Sequence, residues 1–305
     1  MPRRTVGMIG LGIMGSAMSA NLIKAGFAVV GFDIVDRCRN EHQKAGGTVV
    51  SECAEVSKRC SVLITSLPSP DALLGTAAAL AKSPQALKIV VETSTLPIPI
   101  KEQARELLSA KGVTLLDCPL SGTGAQARAK DLIVYASGDK TSCQRMAQIF
   151  KGFSRAHYYI GDFGAGSKMK FVANLLVAIH NIAAAEAMVL AMKSGLDPAR
   201  VLEVISDGAG NSRMLEIRGP LMVKNDYSAA TMKVQTWQKD MAVIADFARK
   251  LECPTPLFSA STPIYTSALA MGFGSADTAS VCAVLERLAN TSRPKTRQQA
   301  KLKTP

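Results

Sequence analysis

Aromatic side chains are scarce in this chain: they make up 5% of its 305 residues, with a single Trp. No stretch interleaves them with Lys or Arg, so the base-stacking platforms of single-strand nucleic-acid binders are missing. No nucleic-acid partner is expected. The net charge of +12 reads instead as a solvated basic surface that attracts anionic substrate and cofactor. Histidine is rarer still. His42, His157 and His180 fall at no metal-ligand spacing, which predicts no metal site. The seven cysteines (Cys38, Cys53, Cys60, Cys118, Cys143, Cys253, Cys282) are odd in number and form no C-x-x-C pair. Free buried thiols in a reducing compartment are the simplest account. There is no Gly-x-x-x-x-Gly-Lys-Ser/Thr loop for nucleotide hydrolysis, and no Ser-His-Asp or Cys-His arrangement stands out. No secretory signal is seen: Met1-Pro2-Arg3-Arg4 leads at once into a strand pattern, and the expectation is a cytoplasmic protein. The longest apolar stretch, Phe171 to Ala191, carries Asn174, His180, Asn181 and Glu186. A membrane helix rarely holds so many polar groups; the run reads as a long helix buried in protein.

What the chain does have stands at its beginning. An apolar run at Val6–Ile9 enters Gly10-Leu11-Gly12-Ile13-Met14-Gly15, and a helical pattern follows through Ala17, Met18, Leu22 and Ile23. Strand, Gly-x-Gly-x-x-Gly turn and helix in series form the first unit of a dinucleotide-binding fold. Gly10 suits the tight turn, Gly12 a close backbone approach to pyrophosphate, and Gly15 close helix–strand packing. The helix N-terminus offers N–H groups and partial positive charge to phosphates. A second strand at Ala28–Phe32 ends in Asp33. An acid at this distance is the expected partner of the adenosine ribose hydroxyls, which favours NAD over NADP. Asp33 also suits a plain turn cap, and the nearby Arg37 and Arg39 could hold a 2′-phosphate.

The length favours two domains. Residues 1–163 alternate strand and helix signals. Strands are predicted at Thr5–Ile9, Ala28–Phe32, Val62–Ser66, Ile89–Glu92, Thr114–Asp117 and Ile133–Ala136, with helices such as Ile100–Ala110 and Ser142–Phe150 between them. The fold class is α/β, with an N-terminal Rossmann-type, doubly wound parallel sheet. Residues 164–292 show only helix signals: a long run after Gly164 and Gly166 that stops near Gly195, then Ala199–Ser206, Leu215–Leu221, Val234–Lys250, Thr262–Met271 and Thr278–Ala289. This predicts a C-terminal all-α domain. Residues 293–305 read as a mobile basic tail.

Ligands of such sheets sit at the carboxyl ends of the strands. Ser66-Leu67-Pro68 and Thr93-Ser94-Thr95 fall there, although ordinary turn chemistry explains either alone. Lys170, Asn174 and Asn181, spaced four and seven residues apart, share one face of the long helix. Burial and the helix dipole would lower the pKa of Lys170 toward the range of a general base, whereas a lysine that snorkels to solvent would do no chemistry. Asp117-Cys118-Pro119-Leu120-Ser121-Gly122-Thr123-Gly124 offers N–H groups and hydroxyls that suit a carboxylate; it also suits a plain strand-to-loop transition. Lys239-Asp240 lies midway along a late helix.

In their order and separation these motifs resemble the β-hydroxyacid dehydrogenase family (3-hydroxyisobutyrate dehydrogenase-like). Its fingerprint Gly-Leu-Gly-x-Met-Gly-x-x-Met-x-x-Asn-Leu-x-x-x-Gly matches Gly10 to Gly26. Its substrate segment Asp-x-Pro-Val-Ser-Gly-Gly matches Asp117, Pro119, Ser121 and Gly122. Its catalytic segment Gly-x-Gly-x-x-x-Lys-x-x-x-Asn matches Gly164, Gly166, Lys170 and Asn174, and its late Lys-Asp matches Lys239-Asp240. Leu120 replaces the usual Val, and Thr123 replaces the second Gly. The segments 208–212 and 273–277 are most similar to the L-threonate dehydrogenase branch.

The resemblance implies an NAD-dependent oxidoreductase of a small C3–C4 hydroxy acid, such as L-threonate or a related sugar acid. Catalysis would rest on Lys170 and Asn174. Cofactor would be held by Gly10, Leu11, Gly12, Ile13, Met14, Gly15, Asp33, Leu67, Pro68, Thr95 and Lys239. Substrate would be held by Ser121, Gly122, Thr123, Lys170 and Asn174. It also implies a cleft that closes over both ligands, and a homodimer or homotetramer. The alternatives are an NADPH-dependent semialdehyde reductase and a non-catalytic binding module of dehydrogenase fold that uses the basic tail.

Overall fold

A computed structural model describes residues 4–82, 86–291 and 293. The chain forms two compact units, residues 1–173 and 174–305.

Among the described residues the first unit holds nine strands: β1 (Thr5–Ile9), β2 (Ala28–Phe32), β3 (Thr48–Val49), β4 (Val62–Thr65), β5 (Ile89–Glu92), β6 (Thr114–Asp117), β7 (Leu120–Ser121), β8 (Ile133–Ser137) and β9 (Ala156–Gly161). Between them lie α1 (Ile13–Lys24), α2 (Asp36–Lys44), α3 (Cys53–Arg59), α4 (Pro70–Lys82), α5 (Ile98–Ser109), α6 (Gly124–Arg128), α7 (Lys140–Arg145) and α8 (Ala147–Phe153). The strands order as β3-β2-β1-β4-β5-β6-β8-β7, with β9 beside β8. Side chains alternate across this sheet. Val6 and Met8 of β1 join one core cluster with Met18, Leu22 and Phe150, while Ile9 joins the other with Leu63, Leu73 and Leu108. Both faces are therefore covered, which is why the inner strands read as unbroken apolar runs.

The pairing from β3 through β6 is parallel, as expected. The expectation of a wholly parallel sheet needs one correction: β8 runs antiparallel to β6 and β7. The chain leaves β6 through β7 and the short α6. It turns back there without the long crossover that a parallel return requires.

Three strands carried too little signal to be foreseen. β3 and β7 are two residues each. β9 is an edge strand whose exposed Tyr158 and Tyr159 break any alternation. Parallel register sets Phe32, Ile9, Thr65, Glu92 and Asp117 in one row at the carboxyl ends of five strands. The turns that follow them therefore begin at one height.

α9 (Ala165–Lys193) is the 29-residue spine. It begins in the first unit and continues into the second, so the units part inside it. By length and apolarity alone it could cross a membrane, but half of its most apolar window is buried inside the protein. Its start is fixed by close approach. A Cβ at Gly166 would lie 2.4 Å from the Tyr135 carbonyl oxygen and 2.7 Å from that of Asp117. Only glycine lets the helix begin so near the backbone of β6 and β8.

The second unit adds α10 (Pro198–Ser206), α11 (Arg213–Lys224), α12 (Val234–Lys250), α13 (Pro256–Ala270), a 3₁₀ turn (Thr278–Ser280) and α14 (Val281–Leu288). Among the described residues its one strand-like pairing is a single bridge, Lys233 with Asp277. Asp277 is fully buried and accepts hydrogen bonds from the Thr231 N–H (2.8 Å), the Thr231 hydroxyl (2.9 Å) and the Ala279 N–H (3.0 Å). It thereby fixes the entry to both α12 and the 3₁₀ turn. Arg293, assigned from sequence to the tail, is anchored. Its guanidinium pairs with Glu286 and donates to the Met222 carbonyl at 2.6 Å. The remaining tail, 294–305, lies outside the described residues.

Candidate active site

The glycine turn joins β1 to α1 at the end of the aligned row. Gly10 takes φ +86°, and a Cβ there would lie 2.1 Å from the Ser66 carbonyl oxygen. A Cβ at Gly15 would lie 1.8 Å from the Gly10 carbonyl oxygen. Both glycines are thus demanded by the turn itself. Gly12 differs: nothing lies within 4 Å of the position its Cβ would occupy. The space beside it, at a helix N-terminus with no side-chain cap and no acid in its first turn, fits a pyrophosphate. Leu11 is buried and Met14 packs on the core, so these two offer only backbone to a ligand; Ile13 is exposed.

Asp33 begins the turn after β2. One carboxylate oxygen accepts from the Leu11 N–H at 2.6 Å and the other from the Val35 N–H at 2.8 Å. It therefore caps its own turn and grips the glycine loop at once. This geometry meets the turn-cap reading of Asp33. Arg39 is drawn back onto the Asp33 carbonyl and Asp36. Arg37 stays largely exposed, 3.7 Å from Glu41.

The turns after β4 and β5 are tied together. The Leu67 N–H donates to the Ser94 hydroxyl at 2.8 Å, and the Ser94 N–H donates to Glu92 at 2.9 Å. Pro68 is exposed beside them and Thr95 half-buried. In the segment after β6, Ser121 ends β7 and Gly122 follows in the turn. Thr123 caps α6, its N–H donating to the Gln126 side chain at 3.0 Å. Thr123 has φ −97°, an ordinary conformation, so glycine is not required where the family pattern has one. Ile13 reaches this segment: a Cβ on Gly124 would lie 2.5 Å from its Cγ2. The glycine turn and the predicted substrate segment are thus neighbours within the first unit.

Lys170 is 9% exposed on α9, so most of its side chain is packed inside the protein. Asn174 stands one turn further along and is buried. Its amide donates to Asp240 at 3.0 Å, which leaves its carbonyl oxygen as the group to offer a ligand. Asn181 departs from the expected trio. Its amide is spent on the Tyr265 hydroxyl (2.9 Å) and the Thr278 carbonyl (3.0 Å), inside the helical unit. Lys239 is part-exposed, 3.6 Å from Asp240.

Sequence reasoning placed Ser94 in a turn on the ligand side but missed Glu92 and Lys101 as the residues that fix it. A signal for Lys101 existed: with Ala104 and Leu108 it forms the buried stripe of α5, an odd place for a lysine.

The strand, glycine turn, helix and terminal acid define a nicotinamide-dinucleotide-binding oxidoreductase. Residues 5–161 match the family model described as the NAD-binding domain of 6-phosphogluconate dehydrogenase. Residues 164–285 match that described as NAD-binding of NADP-dependent 3-hydroxyisobutyrate dehydrogenase. L-threonate dehydrogenase of Cupriavidus necator is 33% identical over 91% of this chain and 95% of its own length. Glyoxylate/succinic semialdehyde reductase 1 of Arabidopsis thaliana is 31% identical over 90% of this chain and 96% of its own. The structure of 3-hydroxyisobutyrate dehydrogenase of Mycobacterium tuberculosis, solved with L-serine, superposes with a TM-score of 0.82. It is 26% identical and covers 93% of this chain and 99% of that chain. The chain belongs to the β-hydroxyacid dehydrogenase family of 3-hydroxyisobutyrate dehydrogenase-like oxidoreductases.

Proposed function

We propose that the protein oxidises the hydroxyl of a small C3–C4 hydroxy acid, with NAD as the preferred cofactor and Lys170 as general base. The observation that carries this is the burial of Lys170 on α9, one turn before an Asn whose amide is already held. A buried amine with a hydrogen-bond acceptor beside it suits proton exchange with an alcohol. When bound, the nicotinamide supplies hydride acceptance. Gly10, Leu11, Gly12, Ile13, Met14 and Gly15 hold the pyrophosphate, chiefly through backbone. Asp33 takes the ribose hydroxyls, and Leu67, Pro68, Thr95 and Lys239 flank the cofactor. Ser121, Gly122 and Thr123 hold the substrate carboxylate. Lys170 takes the hydroxyl proton, Asn174 orients that hydroxyl through its carbonyl oxygen, and in the reverse direction Lys170 returns the proton.

The test is nicotinamide reduction with L-threonate, D-glycerate, 3-hydroxyisobutyrate, 3-hydroxypropionate and 4-hydroxybutyrate, each with NAD and NADP. Turnover of one acid, faster with NAD, supports the reading. Silence with both cofactors, in a protein that binds NADH, removes it and leaves the binding-module alternative. A second reading, an NADPH-dependent semialdehyde reductase, is favoured by the exposed Arg37 and by the semialdehyde reductase among the relatives. Glyoxylate and succinic semialdehyde with NADPH decide it.

Asp33→Ser checks the cofactor preference. The loosened Leu11 N–H contact weakens both cofactors alike, while losing a charged hydrogen bond of about 1.5–3 kcal/mol to the ribose should raise the KM for NAD by roughly 10–100-fold relative to that for NADP. An unchanged NAD/NADP ratio would remove Asp33 as the selector. The proposal includes a homodimer or homotetramer, which light scattering tests.

A further inference from the structure

Lys101 is completely buried, yet it plays no part in the reaction proposed above. Its ammonium lies 2.6 Å from a Glu92 carboxylate oxygen and 2.8 Å from one of Asp117, and it donates to the Ser94 carbonyl at 2.7 Å. Glu92 and Asp117 are the last residues of β5 and β6 and face each other across the pairing. Burial alone would discharge this lysine, but the two carboxylates outweigh it and hold the group charged. Such buried ion networks are poor sources of stability, because desolvation consumes most of the attraction. Fixing geometry is the better account of this one.

Two connections lead outward from Lys101. Through Asp117 it reaches α9: the Ser167 N–H and hydroxyl each donate to that carboxylate at 2.8 Å. The Gly166 N–H donates to the Ser137 hydroxyl at 2.9 Å, and that hydroxyl donates to the Asp117 carbonyl at 2.9 Å. Two carboxylates share the one ammonium, and Asp117 also sits at the positive end of a 29-residue helix, whose dipole supplies about half a charge. Through Ser94 it reaches the turn that carries Thr95 and accepts the Leu67 N–H. All of these residues belong to the first unit.

We propose that Lys101 is a positioning residue: its ammonium clamps Asp117, Asp117 seats the first turn of α9, and that turn sets where the Lys170 amine stands. The same ammonium holds the Ser94 turn, so cofactor-side and base-side geometry share one buried anchor. The proposal rests on the assignment of Lys170 as the base.

Two variants of the full-length protein test it. Glu92→Gln/Lys101→Gln removes both charges but keeps hydrogen-bonding groups, and Ser167→Ala cuts only the hydroxyl bond to Asp117. The first should lower kcat by about 10²-fold, the effect of misplacing a catalytic group by an ångström. The second should lower it about tenfold, as loss of a hydrogen bond to a charged group does. In Ser167→Ala the KM for NAD should stay within threefold, in the double variant it should rise as the Ser94 turn loosens, and in both the acid limb of the kcat–pH profile should move. A purely structural role would lower the melting temperature without moving that limb.

A readout independent of turnover is the titration of Lys170, followed by NMR of 13Cε-labelled lysine and assigned with Lys170→Arg. It should move in both variants. If the wild-type protein oxidises no acid in the panel, the NMR titration still judges the clamp, so the two failures separate. A folded double variant with kcat within threefold of wild type, or an unmoved Lys170 titration, overturns the proposal. Should the double variant not fold, an unmoved titration in Ser167→Ala overturns it alone.

Discussion

Lys170→Ala should lower kcat by about 10²–10⁴-fold, the usual worth of a positioned acid–base group, while the protein still folds and binds NADH. The side chain is buried on a helix seated at its first turn by Asp117 and Ser167. Removing it takes away the proposed proton acceptor and leaves the helix anchors in place. Steady-state kinetics with the best acid of the panel, beside circular dichroism and NADH fluorescence, measure the three quantities together. Turnover within tenfold of wild type would show that another group carries the proton. A partial return of rate with a small primary amine in the buffer would support the amine as the missing part.

The second large effect separates two glycines of one turn. Gly12→Ala should abolish measurable NADH binding and leave the melting temperature unchanged. Its Cβ meets no protein atom within 4 Å but would stand where the pyrophosphate approaches. Gly10→Ala should do the reverse first. At φ +86°, with a Cβ 2.1 Å from the Ser66 carbonyl oxygen, it carries about 1–3 kcal/mol of backbone strain before any clash is added. At roughly 2–4 °C per kcal/mol, thermal unfolding would record a fall of several degrees. Equal melting temperatures for the two variants would contradict this division of roles.

The fold was legible where periodicity was strong. The six strands read from the sequence exist within a residue of their expected ends, and each helix signal after residue 165 is a helix. What escaped notice was set by neighbours and not by local pattern. The antiparallel course of β8 depends on the brevity of α6, and β9 has alternation spoiled by two exposed tyrosines. In the candidate site, spacing singled out the glycine turn and Asp33, while Lys170 and Asn174 were chosen over the bland reading by the family resemblance. Asn181 has the same helical phase but turns to Tyr265 and Thr278. Helical phase tells which face a residue occupies and cannot tell which partner waits there. The Glu92–Lys101–Asp117 cluster was hidden because its members are far apart in sequence and meet only once β5 and β6 pair.

Thr123 gives the segment after β6 an evolutionary freedom that its neighbour lacks. Gly122 takes φ +131° and is confined to glycine, whereas position 123 has φ −97° and admits any side chain that can cap a five-residue helix. Selection can therefore vary size and polarity at this one place without first rebuilding the loop. A small library at residue 123, limited to Ser, Asn, Asp, Thr and Gly as cap formers, would test the proposed role of this position in choosing the acid.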